Sequence, residues 1–368
     1  MEKRDPQRTG YQPQPGPRDG LVERWRRSAG PPNIVRPGVV VASGRVYTVG
    51  RYALRAVASA DGSPEWVRRR RDQSLSLFPD EPPFEFLQSG PTVSGDRVYA
   101  VSGVTLSGRA AATGQSTWAF RTTSSFEYVL PVGNQVVIGC TLANDDQLVA
   151  LDQSTGLRRW IQTAAEVPLA FAPAEDSGMD SALLLTGTSE RDSGRLVGRD
   201  PSDGTVRWRT PSDRPLFDMF ATPAVNQGRV YAGGPTLTAF NASDGSVVWQ
   251  TEAPSITEPA SPITDGQRVY VVRDGAAVAV DAATGENQWA VSVEEISPFV
   301  APVIAAETLY LPGDSAVVAL DTTNGSTRFR HSLSRSDGRI YGMASADGTL
   351  YARVGTSLRA YDAEEAER

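Results

Sequence analysis

The chain has 368 residues, 40 % of them hydrophobic, including 7 Trp, 11 Tyr and 11 Phe; this is enough for a large core and excludes a wholly disordered protein. Its 34 Gly and 26 Pro residues exceed average usage and favour a turn-rich β protein. The net charge of −7, from 43 acidic and 36 basic residues, argues against nucleic-acid binding. No apolar stretch is long enough for a transmembrane helix.

Cys140 and His331 are the only residues of their kinds. A single cysteine excludes an intramolecular disulfide. A single histidine excludes His-rich zinc, copper and iron sites and, unless His331 itself serves, a Ser-His-Asp triad. We expect His331 to be an ordinary surface or loop residue, so these counts argue against most hydrolase and metalloenzyme chemistry.

The chain begins with a charged segment rich in proline and glutamine, residues 1–19, which lacks the apolar stretch of a signal peptide. We expect an N-terminal extension there and no secretion signal in the sequence as it stands. The segment that follows, Glu23–Arg26, carries Trp25 but has no hairpin of its own before it.

Seven later segments repeat one pattern, a glycine followed four residues on by an aromatic residue. Together with Trp25 they place eight aromatic residues at a mean spacing of about 43 residues, the period of a β-propeller blade. They include every tryptophan of the chain, so chance does not explain the pattern. The eight residues are Trp25, Trp66, Trp118, Trp160, Trp208, Trp249, Trp289 and Phe329.

Each repeat reads as four short strands. The second strand resembles Gly44–Tyr47, the third resembles Ala279–Asp281, and the fourth carries the aromatic residue. Between the third and fourth strands, an Asp or Thr side chain is expected to bond backbone amides while the glycine supplies a positive φ. We expect a proline to open the first strand, where no amide donor is needed. These prolines are Pro37, Pro91, Pro131, Pro173, Pro223, Pro262 and Pro302.

Counting the repeats predicts how the fold closes. Seven complete units run from about Val35 to Phe329, and three further strands, over residues 339–346, 349–354 and 357–362, lack a fourth. The segment around Trp25 supplies it, which removes the open edges. We predict an all-β fold, an eight-bladed β-propeller of four-stranded antiparallel blades with the last blade closed by the N-terminal strand. It forms a single domain over residues 20–363, followed by a frayed tail over 364–368.

The run from Ala279 to Trp289, with Asp281, Thr284 and Gly285 in its turn, resembles the tryptophan-docking motif of pyrroloquinoline-quinone (PQQ) repeats. The resemblance covers almost the whole chain. That family includes quinoprotein alcohol dehydrogenases and the bacterial outer-membrane assembly lipoprotein, and its propellers typically have eight blades. The run Arg4–Pro13 is similar to the start of mature surface proteins of salt-loving archaea. It implies an exported, cell-surface protein, with a cytoplasmic paralogue as the alternative.

The resemblance raises the question of quinoprotein chemistry. Quinoprotein dehydrogenases are longer and hold PQQ with a calcium or lanthanide ion, a catalytic Asp, an Arg and commonly a disulfide of adjacent cysteines. Cys140 stands alone, and no residue here matches the metal ligands or the catalytic Asp. We therefore expect no catalytic residue, no metal and no cofactor, but a monomeric, non-enzymatic binding or assembly scaffold with a protein or small-molecule partner. The alternative is a PQQ-dependent alcohol or sugar dehydrogenase.

The residues before each first strand are expected to gather at a funnel mouth on one face of the propeller. An acidic, aromatic mouth would suit a cation, a sugar or a peptide. Alternatively, these aromatics plug the ring centre. The predicted residues are Glu127, Tyr128, Asp218, Phe220, Glu258, Phe299 and Tyr341.

Other features have an ordinary explanation beside a functional one. The basic run Arg68–Arg71 opens the longest connection, which is either a partner-binding loop or a solvated charge run. The acidic pair Asp145 and Asp146 does not have the spacing of a calcium loop. Asn241 and Asn324 begin glycosylation sequons, but turn geometry explains both equally well.

Overall fold

The structure, a computed structural model, describes residues 10–32, 38–50, 53–69, 90–123, 128–142, 145–174, 181–188, 195–210, 222–233, 236–251, 261–273, 275–293, 296–297 and 300–364. These residues form 33 β-strands arranged in eight sheets. The sheets are the blades of an eight-bladed β-propeller, which confirms the predicted fold class.

Two strands precede the first complete blade, β1 (Tyr11–Gln12) and β2 (Leu21–Ser28). In blades 1 to 4, four consecutive antiparallel strands run from the innermost to the outermost position. Blade 1 contains β3 (Val39–Ala42), β4 (Arg45–Gly50), β5 (Ala53–Ala58) and β6 (Pro64–Arg69). Blade 2 contains β7 (Thr92–Ser94), β8 (Arg97–Ser102), β9 (Thr105–Ala110) and β10 (Ser116–Arg121). Blade 3 contains β11 (Val129–Val132), β12 (Gln135–Leu142), β13 (Asp145–Asp152) and β14 (Arg158–Thr163). Blade 4 contains β15 (Glu166–Ala172), β16 (Leu183–Thr188), β17 (Leu196–Arg199) and β18 (Val206–Arg209).

Blades 5 to 7 repeat this order, and blade 8 joins the two ends of the chain. Blade 5 contains β19 (Ala224–Asn226), β20 (Arg229–Gly233), β21 (Leu237–Asn241) and β22 (Val247–Gln250). Blade 6 contains β23 (Ile263–Thr264), β24 (Arg268–Arg273), β25 (Ala276–Asp281) and β26 (Asn287–Ser292). Blade 7 contains β27 (Val303–Ala305), β28 (Thr308–Pro312), β29 (Ala316–Asp321) and β30 (Thr327–Ser332). Blade 8 contains β31 (Ile340–Ala346), β32 (Thr349–Val354), β33 (Ser357–Ala363) and, as its outermost strand, β2.

The ring closes as the repeat count predicts. Strand β2 pairs with β33, and Trp25 lies opposite Ala360 in that ladder. Each innermost strand contacts the innermost strand of the next blade, and the last contact joins β31 to β3. Joining the first and last segments of the chain in one sheet leaves no gap in the ring.

The hydrophobic core is divided among the junctions between blades. One buried cluster, for example, joins Leu130 and Val132 of blade 3 to Phe171 and Leu184 of blade 4. On outer strands such as β22, only Trp249 is buried, while its neighbours face solvent. Each blade therefore buries its faces against the two neighbouring blades.

The repeated tryptophans fasten each blade to the next. The Trp249 indole N–H donates to the Ala282 carbonyl of the following blade at 3.1 Å. Its ring packs on Gly285, where φ is +76° and a Cβ would lie 2.6 Å from the indole. Opposite Trp249 on its own sheet stands the small residue Ala239. All seven tryptophans are buried and make this bond at 2.8 to 3.1 Å.

The docking turns have the predicted chemistry. In the turn after β25, the Asp281 carboxylate accepts the backbone N–H groups of Ala283 and Thr284 at 2.8 and 2.9 Å. These hydrogen bonds, chiefly that of Thr284, hold the pKa of Asp281 below its ordinary value. The turn is thus preformed for the incoming indole.

The expected position of the prolines is wrong in two blades. Pro91, Pro223, Pro262 and Pro302 immediately precede inner strands, as expected, whereas Pro37 lies outside the described residues. In contrast, Pro131 lies within β11, and Pro173 follows β15. An innermost strand has a free edge toward the axis, so an internal proline is tolerated there. Blade 4 instead starts its inner strand soon after β14, and Pro168 adjoins its register shift.

Candidate functional site: the central channel

The ring of innermost strands encloses a central channel, and the N-terminal segment enters it. Strand β1 pairs in parallel with β27, on the side away from β28, so blade 7 has a fifth strand nearest the axis. The Ile304 N–H donates to the Gly10 carbonyl at 2.9 Å, and the Ala306 N–H donates to the Gln12 carbonyl at 2.7 Å. A segment that the sequence assigns to an extension therefore lies against the channel wall.

Side chains on blades 6 and 7 fit this segment closely. Gly10 has a φ of +69°, and a Cβ there would lie 2.8 Å from Ile263 Cγ2 of blade 6. Tyr11 packs against the apolar cluster around Ile263, and Gln12 is buried. Further along, the Tyr310 hydroxyl donates to the Pro17 carbonyl at 2.6 Å. The N-terminal segment is thus held by backbone pairing, shape and one buried hydroxyl.

A cavity of about 180 Å³ adjoins β1. It is bounded by Gly10 and Gln12, by Pro302 and Val303 of blade 7, and by the innermost strands of blades 1 and 8. Of the described lining residues, Asp347 alone carries an ionisable side chain. The other lining residues, from β3, β31 and the turns that follow them, are Val39, Val40, Val41, Ala42, Ser43, Gly44, Met343, Ala344, Ser345 and Ala346. Such a lining suits an extended, weakly polar chain more than a charged small molecule.

The predicted funnel mouth falls largely on residues that the structure does not describe. Glu127, Asp218, Phe220, Glu258 and Phe299 lie outside the described residues. Tyr128 is 5 % exposed and belongs to a buried cluster that spans blades 3 to 5. Tyr341 is half-buried at the start of blade 8, with the Arg339 guanidinium 4.9 Å from its ring centroid. The two described residues, Tyr128 and Tyr341, belong to different blades, 3 and 8, and do not define a mouth by themselves. The funnel mouth therefore stays a prediction.

A buried arginine ties blade 8 to blade 1. Arg353 is fully buried and donates to Gly30 O at 2.6 Å and to Thr48 Oγ1 at 3.2 Å. Burial, aided by the positive charge of Arg55, lowers the pKa of Arg353 to about 10. The side chain is still protonated at neutral pH, so it acts as a structural tie across the junction between blades 8 and 1.

Other groups with possible chemistry have structural roles. Glu166 and Arg199 form a buried bidentate pair within blade 4, with both N–O distances 2.8 Å. Burial raises the pKa of Cys140 to about 12, so its thiol stays protonated. His331 lies half-buried in strand β30 rather than in a loop, and its ring meets the edge of Tyr361 with centroids 5.2 Å apart.

The described residues do not fit a PQQ–metal pair. Such a pair needs several oxygen ligands that converge on one ion. No three His, Cys, Asp or Glu side chains among the described residues are grouped so that they could hold a metal ion. The channel wall next to blade 7 is instead covered by β1. We therefore derive no reaction step through that cofactor.

Sequence reasoning missed the contacts that place β1 in the channel. A two-residue strand has no alternation that could reveal it, and it pairs with a strand almost 300 positions away. The available signal was Gly10 beside Tyr11 in an otherwise polar, proline-rich run. The described residues contain no helix that is long and apolar enough to cross a membrane.

Solved structures of several proteins share this fold. BamB from Moraxella catarrhalis matches with a TM-score of 0.69 and 18 % identity, covering 95 % of this chain and 99 % of that one. Quinohemoprotein alcohol dehydrogenase from Comamonas testosteroni matches with a TM-score of 0.69 and 13 % identity, covering 99 % and 81 %. Saccharomyces cerevisiae Sqt1 matches with a TM-score of 0.69 and 10 % identity, covering 95 % and 100 %. Identities this low show the fold alone.

The sequence itself gives the family. No curated protein sequence matches the chain significantly. A family model described as outer membrane protein assembly factor BamB matches residues 76–235 and 219–367. This match confirms the resemblance to PQQ repeats that the docking motif indicates. Because it spans most of the sequence, the chain belongs to the PQQ-repeat family of the outer membrane protein assembly factor BamB.

Proposed function

We propose that this propeller is a non-enzymatic scaffold that binds a protein partner at the cell surface, and that the central channel takes part in this binding. The observation that carries the proposal is β1, a polypeptide segment held in the channel by backbone hydrogen bonds to Ile304 and Ala306. Pairing with a free strand edge is a common way for proteins to bind extended peptides.

The composition of the channel supports the same proposal. Its cavity is lined by apolar side chains, by backbone and by the neutral polar residues Gln12, Ser43 and Ser345. Asp347 is the single ionisable group among the described lining residues. Membership in the family of an assembly factor favours protein partners over small substrates. The propeller then needs neither PQQ nor a metal, and the competing proposal is a PQQ-dependent dehydrogenase of alcohols or sugars.

One experiment separates the two proposals. The purified chain is titrated with PQQ and calcium by calorimetry, and alcohol-dependent dye reduction is measured on the same sample. We expect neither heat of binding nor dye reduction. Stoichiometric PQQ binding together with dye reduction would replace the scaffold with the dehydrogenase.

A cross-linking experiment tests the channel as the binding region. A photoreactive amino acid replaces Ala344, which lines the cavity, or, as a matched control, Ala290 on the exposed outer strand of blade 6. In intact cells we expect the same protein to be captured repeatedly from position 344 and not from position 290. Equal capture from both positions, or from 290 alone, would exclude the channel.

A further inference from the structure

The docking of the N-terminal segment has the features of a bound ligand rather than of a core strand. Strand β1 is only two residues long, and Gly10 and Gln12 line the cavity. In the sheet of blade 7, β1 is the terminal strand. Blade 7 keeps its own four strands, β27 to β30, without it. We expect a two-residue terminal strand to open more readily than the four strands of blade 7.

We call the surface formed by β27, Ile263, Tyr310 and Glu307 the groove. It contacts several chemical features of the segment. The close approach of Ile263 and the φ of +69° both favour glycine at position 10. The apolar cluster of blades 6 and 7 receives the aromatic ring of Tyr11. Tyr310 recognises the Pro17 carbonyl, and Glu307 pairs with Arg18 at 2.8 Å on the exposed rim. The groove thus selects a glycine followed by an aromatic residue and then an extended proline-rich stretch that ends in a basic residue.

We propose that the axis-facing edge of β27 is a binding site for an extended peptide segment of a partner protein, and that residues 10–18 occupy it in cis. This rests on the proposed scaffold function and names the chemistry of its partner. The incoming segment carries Gly-aromatic followed by a proline-rich stretch and pairs in parallel with β27. The cavity beside Gly10 and Gln12 gives the incoming strand room before the resident segment leaves.

Tethering explains how the site stays closed without a partner. A covalently attached ligand acts at an effective concentration of about millimolar, so a free peptide competes poorly with it. Weakening the resident segment should expose the site. Gly10→Val does so within the full chain, because valine is strained at a φ of +69° and collides with Ile263.

The test uses an acetylated synthetic peptide of residues 10–18 and the full-length chain. We expect the Gly10→Val chain to bind this peptide one to one, and the wild-type chain to bind it at least ~10-fold more weakly. The same peptide carrying Gly10→Val is the matched control and should not bind. Adding Tyr310→Phe to the chain should weaken binding about 5-fold, since it removes the hydrogen bond to Pro17.

Hydrogen exchange gives a second readout at defined amides. In the Gly10→Val chain, the Ile304 and Ala306 amides should exchange faster than in wild type, and the peptide should restore their protection. A cooperative melt with native tryptophan emission shows that the propeller is intact. Unchanged protection at both amides, or equal peptide affinity for the two chains, would overturn the proposal.

Two further outcomes distinguish a failure of this proposal from a failure of the proposed scaffold function. If the peptide does not bind but position 344 still captures a protein, the peptide site is excluded and the scaffold stands. If the wild-type chain is a dimer in light scattering and loses dimerisation with Gly10→Val, the occupant is a second copy, and the partner-peptide proposal fails.

Discussion

The junction between blades 5 and 6 and the junction between blades 7 and 8 solve the same packing problem differently. At the first, Tyr231 and Trp249 both donate to the Ala282 carbonyl, at 3.3 and 3.1 Å. At the second, Phe329 stands in place of the tryptophan, and Tyr310 donates to the Pro17 carbonyl instead.

The cause of the difference is the position of the chain ends. Strands β33 and β2 of blade 8 come from opposite ends of the chain, so no turn connects them and no turn carbonyl awaits an indole N–H. Phenylalanine fills the space without a donor that would need a partner. The N-terminal segment supplies the missing carbonyl to Tyr310. Tryptophan is thus needed where a turn exists, and the closing junction depends on residues 16–18 instead.

The largest expected effect comes from removing a docking tryptophan. Trp249→Ala should lower the free energy of unfolding by about 3–5 kcal/mol, since it leaves a cavity and removes one hydrogen bond to the Ala282 carbonyl. Phe329→Ala should cost only about 1–2 kcal/mol, because its ring is partly exposed. Denaturant unfolding followed by far-ultraviolet circular dichroism measures both. Equal losses would show that the two junctions do not differ in strength.

The docking glycine should rank next. Gly285→Ala should cost about 2–4 kcal/mol, because alanine is strained at a φ of +76° and its Cβ would meet the Trp249 ring. Gly348→Ala is the matched control, with a φ of +80° and no atom within 4 Å of the added Cβ. The control should cost about 1 kcal/mol from strain alone. If both variants lose the same stability, contact with the indole contributes nothing.

Exchanging the aromatic residues at positions 329 and 249 should change stability by unequal amounts. Phe329→Trp should change stability by less than about 0.5 kcal/mol, because its indole N–H meets no docking turn. Trp249→Phe should cost about 1–2 kcal/mol, because it removes the bond to Ala282. The melting temperatures of the two variants, each compared with that of the wild type, measure these effects. A clear gain for Phe329→Trp would mean that blade 8 offers a carbonyl after all.

Periodicity explains how much of this comparison was predictable from sequence. The spacing of the eight aromatics predicted the blades, and the missing fourth strand near residue 362 assigned Trp25 to the closure. The proline rule failed at Pro131 and Pro173, because proline is tolerated within an innermost strand and after its end as well as before it. The docking of β1 and the burial of Tyr128 depend on contacts between segments that are far apart in the sequence, and no local pattern encodes them.

The smallest expected effect is a pH dependence confined to the closing junction. Burial against Tyr361, aided by the charge of Arg359 and opposed by Glu23 and Glu364, lowers the pKa of His331 from 6.5. At this histidine, the unfolded chain binds a proton more readily than the folded one. The contribution of His331 to stability is therefore complete above pH 6.5 and declines as the pH falls through that value. The melting temperature should therefore drop further between about pH 7 and about pH 5 in wild type than in His331→Gln. The variant shares every other titrating group, so parallel curves would mean that His331 is equally easy to protonate in the folded and unfolded chains.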